Sequence, residues 1–244
     1  MDCPKKSNKE PIDSTFFRGG IGGLLYVARM TRPELMYAIT AVSRYCEDPG
    51  KPHWEAVKRS LSYLAGTMDY GLCYGGDQLT NTLVTYTDSN FAACPDTRRS
   101  TSGTLFMFNG GPIAWNSHLQ KSVAQSTCEA EYYAAGLGSR SIVWLRNLLD
   151  QLGFKQTQPT ALMCDNESAI RTVLNPVFHE RNKHIELKHH YIRMQYETGK
   201  LKMVHVPSKD ELADILTKPL ARVSFELNRS RIGVRQMPHD LLQD

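Results

Sequence analysis

The spacing of apolar and polar positions divides the chain into a helical first part and a second part in which strands and helices alternate. Apolar positions recur at helical spacing within residues 17–75. A helix is predicted to begin in a capping box formed by Thr31 and Glu34 and to end at the tripeptide DPG. A second helix is predicted over HWEAVKRSLSYLAG, so this part of the chain indicates a small helical segment.

From residue 82 onward, the pattern indicates short strands and then alternating helices and strands. LVTYTDS, GTLFMF and PIAWNS predict strands, and the turn signal Asn109-Gly110-Gly111 joins the last two. A long helix is predicted over residues 127–152. Beyond it we predict a strand at ALMCD, helices at NESAIRTVL and HIELKHHYIRMQYETGK, a strand at LKMVHVP and a helix at KDELADILTK. The order βββαβααβα is typical of an α/β fold with a five-stranded mixed sheet and helices on both faces.

These changes of pattern predict four parts of the chain. A flexible lead precedes the helical segment, which we expect to form a separate unit. The sheet domain follows, and a tail without a clear pattern comes last. The predicted bounds of the four parts are 1–16, 17–75, 82–220 and 221–244.

Composition and charge narrow the class of protein. The 244 residues are 41% hydrophobic, which is enough to form a core and excludes global disorder. No apolar run is long enough to span a membrane, and the N-terminus lacks the apolar region of a secretory signal. Six scattered cysteines argue against a disulfide scaffold and a zinc knuckle. We expect a cytoplasmic or nuclear protein, and its net charge of +4 permits a nucleic-acid partner without requiring one.

Two aspartates end strands of the predicted sheet. Asp88 ends the first strand and Asp165 ends the fourth, and polar residues follow both. In a sheet of this order these two strands are plausible neighbours, so the carboxylates meet at one edge. Adjacent carboxylates repel each other unless a cation lies between them, which makes the pair a natural site for a hard divalent metal. The alternative for Asp165 is a helix cap.

The long predicted helix offers two glutamates, of which only one suits the same site. At 100° per residue, Glu129 and Glu131 point about 160° apart. Glu131 lies roughly 60° from the centre of the apolar stripe and Glu129 roughly 140° from it, so Glu131 flanks the buried face. Glu131 is therefore the candidate functional acid. On periodicity alone, its alternative is a surface ion pair at the edge of the helix.

Further candidates lie near the end of the predicted sheet domain. Asp210 and Glu211 stand at the predicted start of the last helix, where a carboxylate suits the helix dipole, whereas Asp214 lies inside that helix. His205 ends the fifth strand, where it is either a proton shuttle or a structural residue. The segment 179–193 is rich in histidine and basic residues and either contacts phosphates or forms a solvated face.

Six blocks of sequence carry a resemblance to a known family. They are YTDSNFAACPDTRRSTSGTLF (86–106), AWNS (114–117), SVAQSTCEAEYYA (122–134), CDNESAI (164–170), NPVFHERNKHIE (175–186) and VPSKDELADILTKPL (206–220). In this order and at these intervals they strongly resemble the ribonuclease H region of copia-type LTR retrotransposon polyproteins. The stretch 22–72 looks like the part that follows the reverse transcriptase core in the same polyproteins. One departure is Phe91, which stands where these elements usually have tryptophan.

The resemblance implies a ribonuclease H-like fold and cleavage of the RNA strand of RNA–DNA hybrids. It implies two Mg²⁺ ions, with Mn²⁺ as an alternative, on four acids and places a histidine more loosely beside them. Selectivity for hybrids is expected from contacts to 2′-hydroxyls by residues beside the carboxylate edge. The expected acids are Asp88, Glu131, Asp165 and Asp214, the histidine is His205, and the expected substrate contacts are Arg98, Arg99, Ser100, Thr101, Ser102 and Asn166.

The chain lacks the other motifs of such a polyprotein. No Y-x-D-D polymerase motif, integrase region or aspartic-protease region occurs in it. We therefore expect it to resemble a C-terminal piece, with a reverse transcriptase core supplied elsewhere and virus-like particles as its location if the element is active. The alternatives are a non-catalytic module that binds nucleic acid or has a structural role, and another nuclease of the same fold. The CEAEY and LADILTK blocks favour ribonuclease H over another nuclease.

Overall fold

A computed structural model describes residues 12–75, 80–175 and 186–238, with only the backbone described for 186–190. Most of the predicted lead, and the part of the histidine-rich segment before residue 186, lie outside these residues. The strands are β1 (Tyr70–Leu72), β2 (Val84–Asn90), β3 (Thr101–Phe108), β4 (Gly111–Leu119), β5 (Thr160–Cys164), β6 (Leu201–His205) and β7 (Val234–Gln236). They form two sheets among the described residues, and the larger one has five strands in the order β4-β3-β2-β5-β6.

The larger sheet has the mixed topology that the sequence predicts. β2, β3 and β4 are antiparallel neighbours, whereas β5 runs parallel to β2 and β6 runs parallel to β5. The hairpin between β3 and β4 turns at Asn109 and Gly110, whose φ angles of 50° and 78° suit a two-residue turn. The prediction of a five-stranded mixed sheet is therefore confirmed, and so is the pairing of the first and fourth predicted strands.

Three helices cover one face of this sheet. Ser126 caps the longest of them by accepting a hydrogen bond from the Glu129 N–H at 3.1 Å. Side chains from these helices enclose a core with Phe106 and Leu162 of the sheet. The helices are α4 (Thr127–Gln151), α5 (Glu167–Leu174) and α6 (Glu186–Glu197).

The N-terminal helices cover the opposite face, so they do not form a separate unit. Leu24 and Ile39 share one buried core with Leu105 of β3 and Leu216. Adjacent residues of a strand point to opposite faces, so Leu105 belongs to this core and Phe106 to the other. The expectation of a separate helical unit is wrong, because an apolar helix stripe does not reveal which surface will cover it. The helices are α1 (Ser14–Met30), α2 (Met36–Ser43) and α3 (Lys51–Ala65).

The predicted capping box at the start of the second N-terminal helix does not form. Thr31 instead ends α1, where its N–H bonds to the Val27 carbonyl at 3.0 Å. Glu34 lies in a short 3₁₀ helix and is buried, and Arg32 Nε lies 2.7 Å from its Oε1. The Glu34 carboxylate is therefore paired with Arg32 and does not form the hydrogen bond that the capping box required.

The last predicted helix is replaced by two 3₁₀ helices, Ser208–Asp210 and Leu212–Leu216. Glu211 separates them, because its backbone is extended and its side chain accepts a hydrogen bond from the Ala213 N–H at 2.9 Å. All five residues from Leu212 to Leu216 are buried, so this segment has no solvated face of the kind an amphipathic helix presents.

The C-terminal tail has more structure than its sequence pattern indicates. It forms helix α7 (Arg222–Arg231) and then β7, which pairs antiparallel with β1. Ile232 and Val234 belong to the same core as the N-terminal helices. The tail therefore packs against the N-terminal helices.

Candidate metal centre

Two neighbouring strands bring the first two acidic residues to one edge of the sheet. β2 and β5 are parallel and pair as far as Tyr86 and Met163. Asp88 lies two residues beyond this pairing, within β2 rather than at its end, and is only 2% exposed. Asp165 directly follows β5, and its Oδ2 accepts a hydrogen bond from the Ser208 hydroxyl at 2.8 Å.

Helix α4 supplies the third acid. Glu131 is buried, and its Oε1 accepts hydrogen bonds from the Ser89 N–H at 2.9 Å and the Ser89 hydroxyl at 3.1 Å. Glu129 turns away and accepts a hydrogen bond from the Gln125 N–H at 2.7 Å. A Cβ on Gly138 would lie 2.7 Å from Thr87 Cγ2, so the absence of a side chain lets α4 lie close to β2. The inward position of Glu131 agrees with the helical wheel.

The 3₁₀ helix Leu212–Leu216 supplies the fourth acid. Asp214 is 8% exposed, and Lys218 Nζ lies 2.6 Å from its Oδ1. The neighbouring Thr217 hydroxyl donates a hydrogen bond to Oδ2 of Asp88. A Cβ on Gly103, which pairs with Asp88 across the sheet, would lie 2.9 Å from Leu216 Cβ. Glycine at this position therefore allows the segment that holds Asp214 to lie directly on the sheet.

The electrostatics of these acids reflect their burial and their closeness. Burial raises the pKa of Asp88 and raises that of Glu131 well above its ordinary value. Burial, with the charge of Asp88, raises the pKa of Asp214 to about 6. The negative charge of Asp165 raises all three pKa values further. Such a group of carboxylates either holds protons or requires cations, and hard divalent metals prefer carboxylate ligands.

A fifth acid, Glu211, lies in the same region although the sequence pattern assigned it only to a helix start. It is fully buried, and burial followed by the charge of Asp88 raises its pKa well above the ordinary value. Its Oε2 has no hydrogen-bond partner among the residues that the structure describes. The one sequence signal was its place three residues before Asp214. A buried carboxylate oxygen without a hydrogen-bond partner, near Asp88, Asp165 and Asp214, fits a site that binds cations.

A buried thiol, Cys164, is another residue that sequence reasoning missed. Its Sγ lies 3.9 Å from Glu131 Oε2, and ligand atoms of Glu131, Cys164 and Asp165 all lie within 4.8 Å of one another. Burial and the charge of Glu131 raise the pKa of this thiol. A thiol that stays protonated is a poor ligand, so the carboxylates are the better candidates for a hard cation.

His205 lies at the same edge of the sheet as the acids. It is the last residue of β6, it is exposed, and it pairs with Cys164 of β5. The strand register therefore places it one position from Asp165. Its part in proton transfer stays a prediction.

Three of the six expected substrate contacts are buried, which corrects that expectation. The hydroxyl of Ser100 accepts a hydrogen bond from the Ala92 N–H, and that of Ser102 accepts one from the Gln120 amide. Thr101 Oγ1 accepts a hydrogen bond from Arg44 Nη2 at 3.1 Å. These side chains support the strand edge and are not presented to a ligand. The three consecutive polar residues gave no sign of this in the sequence, because Arg44 and Gln120 come from other elements of the fold.

The remaining three expected contacts lie where a ligand can reach them. Arg98 is exposed in the loop between β2 and β3 and has a φ of 55°, while Arg99 is half-buried. Asn166 is half-buried, and its Oδ1 caps α5 by accepting a hydrogen bond from the Ala169 N–H at 2.9 Å. The side chains of the predicted histidine-rich segment up to residue 190 lie outside the described part of the chain.

In the described parts of the chain, no helix combines the length and the hydrophobicity that crossing a bilayer requires. No protein-family model matches the sequence. The chain is 43% identical, over 93% of its length, to the "Retrovirus-related Pol polyprotein from transposon RE2" of Arabidopsis thaliana and spans 15% of that protein. It is also 40% identical, over 53% of its length, to the "Secreted RxLR effector protein 161" of Plasmopara viticola and spans 90% of that protein.

Among solved structures, the chain is similar to LC11-RNase H1, which was crystallised in complex with an RNA/DNA hybrid. The identity is 19% and the TM-score is 0.42, and the match covers 56% of this chain and 94% of the other.

Proposed function

The chain belongs to the family of copia-type retrotransposon Pol polyproteins, of which it spans 15–16% of the length, and on that premise we propose that it hydrolyses the RNA strand of RNA–DNA hybrids. The observation that carries the proposal is the cluster of Asp88, Glu131, Asp165 and Asp214 at one edge of the sheet. A reverse transcriptase core is the partner that the polyprotein relatives suggest.

The residues of the cluster fit two Mg²⁺ ions, with Mn²⁺ as a substitute. Asp88 and Asp165, which come from neighbouring strands, would hold the ions together with Glu131 and Asp214. Bound ions of this kind supply an activated water and charge stabilisation at the leaving 3′-oxygen. Ser89 and Ser208 hold the carboxylates of Glu131 and Asp165 in place through the hydrogen bonds given above.

Recognition of the hybrid would use the accessible polar residues beside the cluster. Arg98, Arg99 and Asn166 lie at this edge, where they are positioned to contact phosphates and 2′-hydroxyls in a minor groove. Because phosphate contacts release counterions, binding should weaken as salt rises. Cleavage should favour hybrid over double-stranded DNA. Equal cutting of both substrates would instead support another nuclease of the same fold.

The decisive experiment compares Asp88→Asn with Glu129→Gln on a labelled hybrid with Mg²⁺. Asparagine keeps the shape of Asp88 and removes one negative charge, so we expect cleavage to fall by at least ~100-fold, the scale of lost charge stabilisation at a leaving oxygen. Hybrid binding without metal should persist or tighten, because repulsion of the phosphates falls. Glu129→Gln should change little, since Glu129 is turned away from the cluster. Intact cleavage by Asp88→Asn would refute the proposal.

A second candidate function is a module that binds nucleic acid or has a structural role without catalysis. The similarity to the secreted effector protein favours it, because this chain spans 90% of that protein, whose name gives it a role other than hydrolysis. Absence of cleavage by the unmodified protein with both Mg²⁺ and Mn²⁺, together with salt-sensitive hybrid binding, would favour this candidate.

A further inference from the structure

A lysine side chain lies inside the acidic cluster. Lys218 Nζ is 2.6 Å from Asp214 Oδ1, and the two side chains are only 34% and 12% exposed. The negative charge of Asp88 also acts on Lys218. The ammonium therefore interacts with two acids that belong to different elements of the fold.

Thr217, the residue before Lys218, forms hydrogen bonds with both Asp88 and Asp214. The Thr217 hydroxyl donates a hydrogen bond to Asp88 of β2, and Thr217 N–H bonds to the Asp214 carbonyl at 3.1 Å. Thr217 and Lys218 thus connect Asp88 with Asp214 by one hydroxyl and one ammonium. Without such groups, two ionised carboxylates that act on each other in a buried site would repel each other.

We propose that Lys218 is the resident counter-cation of the metal centre, which holds Asp88 and Asp214 together in the metal-free protein and competes with a divalent metal for Asp214. The proposal rests on the proposed function in one respect, which is the use of a metal by these acids. Lysine suits this role because its ammonium is a compact point charge on a flexible stem.

The surroundings of Lys218 leave the ammonium room to move when a metal binds. Its side chain also lines a cavity of about 480 Å³ between α2, α3 and the segment 215–220. Glu34 and Glu55 line the same cavity, but each already pairs with a basic residue, Arg32 and Lys58 respectively. The Lys218 side chain is 34% exposed, so the ammonium can leave Asp214 for water.

The test is Mg²⁺ binding to the full chain, measured by calorimetry without nucleic acid, for Lys218→Met and Lys218→Arg. A neighbouring opposite charge changes the binding of a cation to a carboxylate by tenfold or more, as it does for protons. We therefore expect Lys218→Met to bind Mg²⁺ about tenfold more tightly and to melt at a lower temperature in EDTA. Lys218→Arg keeps the charge and should stay near the unmodified protein. Lys209→Met removes an exposed lysine of the same segment and should change neither quantity.

A second measurement uses the unmodified protein and does not depend on how a variant folds. Brief acetylation followed by mass spectrometry should modify Lys218 more slowly in EDTA than in Mg²⁺, because the metal releases the ammonium from Asp214. Equal rates in both conditions would contradict the competition, and so would unchanged or weaker Mg²⁺ binding by Lys218→Met. If the unmodified protein binds Mg²⁺ and cleaves hybrid while these results fail, the proposed function stands and the role of Lys218 falls. If it binds no metal, both fall.

Discussion

At the scale of single residues, most acids of the cluster are ionisable groups that the fold buries away from water. Asp88, Glu131 and Glu211 are buried, and their pKa values are all raised. Thr217, Ser89 and the Ala213 N–H satisfy some of their oxygens by hydrogen bonds. Stability of the metal-free protein is therefore tied to the protonation of these groups.

This protonation predicts how stability depends on pH. The pKa of Asp214 rises from its ordinary 3.8 to about 6 in the folded protein, so the folded state keeps a proton that the unfolded state releases. The free energy of unfolding in EDTA should then fall as the pH rises from about 3.8 through about 6, and further where Glu131 and Glu211 lose their protons. Urea unfolding at several pH values with EDTA measures this.

Two comparisons make the pH prediction specific. Mg²⁺ should reduce the fall, because a bound cation replaces the protons. Asp214→Asn should flatten it within the same pH window, whereas Glu129→Gln should leave it unchanged. A free energy of unfolding that rises steadily with pH in EDTA would contradict the assignment of these acids to a buried cluster.

At the scale of elements, close packing of β3 against the 3₁₀ helix Leu212–Leu216 sets the position of Asp214. A Cβ on Gly103 would lie 2.7 Å from Thr217 Cγ2 and 2.9 Å from Leu216 Cβ. We expect Gly103→Ala to cost about 1–3 kcal/mol, as overpacking does, and to reduce the rise in melting temperature that Mg²⁺ causes. Thermal unfolding with and without Mg²⁺ measures both effects.

Gly136 provides the control for that substitution. It lies in α4, and a Cβ there would meet nothing within 4 Å. Gly136→Ala should leave the metal effect intact and stabilise the protein by up to ~1 kcal/mol through helix propensity. If both alanine variants behave alike, contact between β3 and the 3₁₀ helix does not position Asp214.

The end of α2 holds the loop that carries Arg98 and Arg99. Tyr45 Oη donates a hydrogen bond to Asp96 Oδ2 at 2.7 Å, and Arg44 bonds to Thr101 where β3 begins. Under the proposed function, Tyr45→Phe should raise KM for the hybrid about 2- to 10-fold, the scale of one hydrogen bond, and leave kcat nearly unchanged.

Steady-state cleavage of the labelled hybrid separates the two constants for Tyr45→Phe. Tyr26→Phe is the matched control, because Tyr26 is 68% exposed on α1. A fall in kcat with unchanged KM for Tyr45→Phe would mean that the hydrogen bond supports the carboxylates and not the substrate loop.

At the scale of the whole molecule, one core joins the N-terminal helices to the sheet. Leu24 of α1 packs in the same cluster as Leu105 and Leu216, and Trp115 of β4 donates a hydrogen bond to the Ala28 carbonyl at 2.8 Å. Leu24→Ala should therefore lower the free energy of unfolding of the whole chain by about 2–5 kcal/mol. Circular dichroism and tryptophan fluorescence should follow one shared transition.

Leu61→Ala is the control for the shared core, because Leu61 of α3 is 46% exposed and its truncation should cost far less. If two separate transitions appeared and Leu24→Ala shifted only one of them, the N-terminal helices would be shown to unfold as an independent unit. The proposed dependence of the substrate loop on α2 would then lose its structural basis.

The sequence by itself determined the local elements and the family. Short runs rich in β-branched and apolar residues, with turn signals between them, predicted the five strands of the larger sheet, helical spacing predicted α4, and the wheel identified Glu131 as the inward glutamate. These properties follow from the order of residues within one element, since side-chain direction repeats along a strand or a helix. The six motif blocks indicated the family in the same way, because each block is a stretch of contiguous sequence.

Only the tertiary structure decided what covers each surface and which charges meet. It joined the N-terminal helices to the sheet, buried the hydroxyls from Ser100 to Ser102, and brought Glu211 and Lys218 among the acids. Burial and pairing of a side chain depend on residues far away in the chain, and local periodicity contains no information about them. The charge balance of the acidic cluster is therefore a property of the folded molecule, even though each of its acids was visible in the sequence.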